Sequence, residues 1–134
     1  MHFQAGVKEV SHSELPDILG EAARQGIPTL FLDVEGEVDR VSFLRAARTS
    51  LPLDPPMQSS RSWDAFSDSL WEGIRLLNGE QLLIVWRNVH LDAGNEDLQT
   101  ALAILADTAQ SLTDPVTTSR RAKRVSIYLT PAKI

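Results

Sequence analysis

The chain has no cysteine among its 134 residues. That excludes a disulfide framework, a thiolate metal site and a cysteine nucleophile, and it fits a reducing compartment. Long apolar runs are missing too: no stretch approaches the roughly 20 residues of a membrane span. Residues 1–10, which include Lys8 and Glu9, hold no apolar run of signal-peptide length. We therefore expect a soluble, cytoplasmic protein without membrane contact. Positive charge is scarce: 13 Lys and Arg stand against 18 Asp and Glu, for a net charge of −5 and a pI near 5.1. Nucleic-acid binding draws its affinity from cations that neutralise phosphates, so direct binding of nucleic acid is disfavoured and a basic partner is better matched.

Recognisable catalytic signatures are missing as well. There is no Walker loop, no G-x-G-x-x-G and no G-x-S-x-G. His2, His12 and His90 are isolated and lack the spacing of helical metal sites. Ser59, Ser60 and Ser62 read as loop and N-cap residues, since no histidine suggests itself as their base. No cofactor, metal site or catalytic residue is expected.

What remains is a chain of one-domain size, 43% hydrophobic, able to bury a core without cross-links. Four β-rich runs stand out: Gly6 to Val10, Thr29 to Asp33, Leu82 to Trp86 and Arg124 to Leu129. The middle two are nearly continuous in apolar character, as in strands covered on both faces. Helical patterns fill the intervals. One runs from Ser13 to Gln25 and stops at Gly26. A second begins at the N-cap candidate Asp39 and stops at Pro52. A third spans Ser62 to Leu77, and a fourth runs from Glu96 to Leu112. The alternation predicts a small α/β domain whose mostly parallel sheet, of three or four strands, is covered by helices in two or three layers.

The third helix is the most informative. At about 100° per residue, Trp63, Phe66, Leu70, Ile74 and Leu77 fall on one apolar arc. Asp64, Ser67, Asp68, Trp71, Glu72 and Arg75 gather opposite it. A large indole far from the core stripe leaves apolar area in water unless another element or a partner covers it. Two aspartates at i and i+4 repel one another by a few tenths of a kcal/mol, which the helix N-terminus partly offsets. From periodicity alone, a packed Trp71 with solvating acids and a partner-binding face are both open readings.

Here the sequence resembles the barstar family, the intracellular inhibitors of barnase-type ribonucleases. Trp63-Asp64-Ala65-Phe66-Ser67-Asp68-Ser69-Leu70 is similar to that family's acidic helix start, and Leu83-Ile84-Val85-Trp86-Arg87 to its following Trp-Arg strand. The resemblance covers about Thr29 to Pro131, which divides the chain into an extension, residues 1–28, with an expected extra strand and helix, and a barstar-like domain, residues 29–134. It implies an immunity-type protein, not an enzyme, that blocks the active site of a basic, extracellular-type ribonuclease or a related cationic toxin with its acidic helix. Asp68 would occupy the substrate phosphate site and Asp64 would meet a second cation. Ser67, Trp71 and Glu72 would border them, and Asp107, on the outer side of the fourth helix, would add to the contact surface. Three features depart from the family pattern: Met57 to Ser60 replace a loop aromatic pair, Ser67 replaces an aromatic, and Trp71 replaces a small polar residue.

Two alternatives stand beside this reading. One is an interaction or regulatory module that keeps the fold but binds a non-nuclease or different toxin partner. The other is a metal-dependent enzyme using Asp64 and Asp68, because carboxylates one turn apart can converge on a cation. The basic run Arg120, Arg121, Lys123 and Arg124 is read as a solvated loop that guards a strand edge.

Overall fold

The computed structural model describes residues 2–58 and 62–132; Ser59, Ser60 and Arg61, part of the turn-rich loop expected before the third helix, lie outside the described residues. The element order is β1 (Gly6–Glu9), α1 (Leu15–Gln25), β2 (Thr29–Asp33), α2 (Arg40–Ser50), α3 (Trp63–Arg75), β3 (Gln81–Val89), α4 (Glu96–Ser111) and β4 (Arg124–Pro131). The strands form one sheet in the order β1-β4-β3-β2, parallel at every pairing. Parallel neighbours need crossover connections, and helices supply them on both faces.

The near-continuous apolar run of β3 is explained by this burial on two sides, whereas β2, expected to be covered likewise, is an edge strand that buries Leu32 and leaves Phe31 exposed. Leu82, Ile84 and Trp86 of β3, with Val125, Ile127 and Leu129 of β4, face the larger core under α2, α3 and α4. Leu83 and Val85 point the other way, with Tyr128, Phe3 and Val10, and α1 covers them through Ile18 and Ala22. The result is three layers: one helix, the sheet, then three helices. The segment before residue 29 thus supplies the edge strand β1, whose Gly6 to Glu9 pair with Ser126 to Leu129, and the helix on the second face.

Caps set the helix ends. The Asp39 carboxylate accepts from the Ser42 N–H at 2.8 Å and opens α2, and the Asn95 side-chain oxygen accepts from the Leu98 N–H at 3.0 Å and opens α4. Gly26, at φ 70°, closes α1 with its N–H directed at the last-turn carbonyls, a left-handed cap that glycine adopts without a Cβ clash. α1 starts at Leu15, not Ser13, because the Ser11 hydroxyl and the Glu14 carboxylate bond one another at 2.9 Å and hold a separate turn ahead of the helix. Beneath α3, Phe43 packs its ring 5.3 Å from Phe66 and 5.1 Å from Trp86. Truncating Phe66 to Ala in this contact would cost about 3–5 kcal/mol.

Candidate acidic helix face

α3 is positioned from three sides. Ser62, in extended conformation, accepts from the Ala65 N–H at 3.0 Å and starts the helix. Phe66, Leu70 and Ile74 anchor the inner face in the core, with Trp63 and Leu77 half-buried at its margins. The segment after α2 then straps across the helix. The Asp54 N–H donates to the Ser69 carbonyl at 3.0 Å, and Gly73 lets the backbone pass so closely that a Cβ there would sit 2.0 Å from the Pro52 carbonyl oxygen. Met57 packs half-buried against the main core.

The residues singled out on the outer face divide into two groups. Asp64 and Asp68 are exposed, and among the described residues neither makes an ion pair or side-chain hydrogen bond. Ser67 lies half-buried between them. Further along, Trp71 is half-buried against the core, and its indole N–H donates to the Ser111 hydroxyl of α4 at 3.1 Å. Helical projection alone leaves that indole uncovered; the last turn of α4 covers it. The Arg75 guanidinium stands 5.9 Å from the Trp71 ring centre and donates to Glu72 at 2.9 and 2.5 Å and to the Thr118 carbonyl at 3.4 Å. Those bonds from Arg75 hold the Glu72 carboxyl below its ordinary pKa and push Arg75 further up.

The Trp71–Ser111 contact also fixes the register of two neighbouring helices. α3 leads into β3 and α4 leads out of it toward the parallel strand β4, so the two helices run in the same direction. Asp68 lies three residues before Trp71 and Asp107 four before Ser111. At about 1.5 Å per residue, the two aspartates stand level, one turn N-terminal of the contact. Asp107 is exposed. Asp64 sits one turn further toward the helix start, where the free N–H groups favour negative charge.

The Trp-Arg pair of β3 lies apart from this face. Trp86 is fully buried. Arg87 donates to Asp33, its register partner on β2, at 2.6 Å, and stacks 4.5 Å from the Phe31 ring. Among the described residues no group of three or more His, Asp or Glu side chains could hold a metal ion, and no helix is long and apolar enough to cross a membrane.

Ser69, Gly73 and Ser111 were not singled out from the sequence. Gly73 had a signal: a glycine inside a helical pattern costs about 1 kcal/mol and marks a close approach. A contact from Trp71 to a serine 40 positions away has none.

Fold and face together define an α/β domain that presents an acidic helix start from a three-helix layer. A family model described as barstar (barnase inhibitor) matches residues 27–129, and the chain belongs to the barstar family. The family is one of inhibitors, not of enzymes. No curated protein and no solved structure matches the chain.

Proposed function

We propose that this protein inhibits a basic ribonuclease by setting the start of α3 into the nuclease's active site. The observation that carries the reading is the state of Asp64 and Asp68: like charges one turn apart, exposed, and without an ion pair or side-chain hydrogen bond among the described residues. The repulsion between them is only partly offset by the helix N-terminus, so the pair adds little to the fold. A nuclease holds its scissile phosphate with Arg, Lys and His donors, and a carboxylate offers that preorganised cluster the same charge sign and a pair of acceptor oxygens. Asp68 takes the phosphate position, Asp64 meets a second cation, and Asp107, level with Asp68 on α4, widens the acidic surface. Ser67, the exposed part of Trp71 and Glu72 border it. The partner is an extracellular-type ribonuclease of the barnase kind or a related cationic toxin, and the inhibitor acts in the cytoplasm to protect the producing cell.

The test is a titration into a barnase-type ribonuclease while RNA cleavage is followed, with association rates measured over a series of salt concentrations. The expected result is a stoichiometric end point and an association rate that falls as salt screens the acidic face. Unimpaired cleavage at equimolar inhibitor, or an association rate indifferent to salt, contradicts the proposal.

A further inference from the structure

At the end of the sheet away from Asp64, the basic run before β4 has two separate destinations. Arg121 donates to the carbonyls of Arg75 and Leu76, both at 2.9 Å, and of Leu77 at 3.3 Å. The Lys123 ammonium donates to the Leu77 carbonyl at 2.7 Å and to that of Gly79. These two cations cap the C-terminal end of α3, whose orphan carbonyls and dipole favour positive charge. Their role is therefore helix capping and not the solvated guarding of a strand edge.

Arg120 and Arg124 are left over. Both are exposed, and among the described residues neither makes a side-chain hydrogen bond or ion pair. Both line one open cavity of about 430 Å³, together with Lys123, Thr113, Gln81 and a single acid, Glu80. Ser119 and Arg120 both adopt the left-handed conformation, at φ 55° and 67°, and the Arg120 N–H donates to the Pro115 carbonyl at 2.7 Å to hold the turn. Two successive non-glycine residues in that region are strained, and such strain gathers where a side chain must be presented at a fixed place. Three cations, Arg120, Lys123 and Arg124, line this cavity against the one carboxylate of Glu80.

We propose that this cavity is an anion site that receives the phosphate group of a small phosphate monoester, with Arg120 and Arg124 as its ligands. Two guanidinium forks match the geometry of one phosphate. Gln81 and Thr113 also line the cavity, where they can meet the organic part of the ligand. A polymer fits less well. It needs several phosphates neutralised at once, against two free cations here and a net charge of −5 over the chain.

The experiment is calorimetric titration of the full chain at low ionic strength with inorganic phosphate, with adenosine monophosphate, and with a short RNA oligonucleotide lacking a terminal phosphate. The chain is compared with the Arg120→Gln/Arg124→Gln double variant and with Arg124→Gln alone, which leaves the strained turn untouched. The proposal expects saturable binding of the monophosphate, weaker binding of inorganic phosphate, and a loss of about tenfold or more in affinity in the double variant, with a smaller loss in the single one. Three results would overturn it: no saturable binding of either small probe, undiminished binding in both variants, or binding of the oligonucleotide alone.

Discussion

The outer face of α3 divides at Trp71. On the N-terminal side, Asp64 and Asp68 are exposed and have no partner among the described residues; on the C-terminal side, Trp71, Glu72 and Arg75 are tied to α4, to one another and to the Thr118 carbonyl. One helix therefore carries two kinds of polar surface. The second half joins α3 to α4 and so serves the fold. The first half carries a like-charge repulsion that the helix N-terminus only partly offsets, and under the proposed function that charge is turned toward the cations of a partner.

That contrast can be broken by substitution. The largest effect belongs to Asp68→Ala, which should cost about 2–5 kcal/mol of nuclease binding, a known magnitude for truncated charge pairs at interfaces of this kind, the barnase–barstar couple among them. Thermal unfolding of the free variant should not fall, because the change removes repulsion. Next comes Gly73→Ala, whose new methyl meets the Pro52 carbonyl at 2.0 Å. Overpacking of this kind costs about 1–3 kcal/mol, more than alanine's helix propensity returns, and denaturant titration should record a lowered midpoint. Ser111→Ala removes the acceptor of the Trp71 N–H and should cost about 0.5–1.5 kcal/mol of stability. Glu72→Gln, which breaks a part-exposed pair, should cost the least of these on the same measurement. If Ser111→Ala damaged binding as much as Asp68→Ala, the division at Trp71 would not hold.

A pH series sharpens the same contrast. Backbone and side-chain bonds from Ser42 lower the Asp39 carboxyl from its ordinary 3.8, and Arg75 lowers that of Glu72 from 4.5. Both groups bind protons more weakly folded than unfolded, so the stability they contribute is present above those ordinary values and lost as the pH falls through the lowered ones. Denaturation midpoints should therefore decline below about pH 4, and Glu72→Gln should flatten part of that decline.

The sequence is legible where the signal is local. Asp39 as a cap, Gly26 as a stop and the Phe66-Leu70-Ile74 stripe follow from neighbours within a few positions, and the alternating order of elements implies the parallel sheet. Asp64 and Asp68 stand on the outer face by helical period alone. The illegible parts are long-range. The cover over Trp71 comes from Ser111, the approach to Gly73 from Pro52, and the partners of Arg121 from the end of a helix 44 to 46 positions earlier. Projection onto one helix cannot separate a tryptophan awaiting a partner from one packed on the next helix, nor a solvated arginine from a capping one.

The most direct test of the central claim measures both properties of one variant: calorimetric unfolding of Asp68→Ala alone, and its titration against a barnase-type ribonuclease beside the wild type. The account predicts an unfolding temperature equal to or slightly above wild type, with nuclease affinity reduced by tenfold or more, which is about 1.4 kcal/mol. A variant that binds and inhibits like wild type, or one that loses its fold together with its binding, would contradict it.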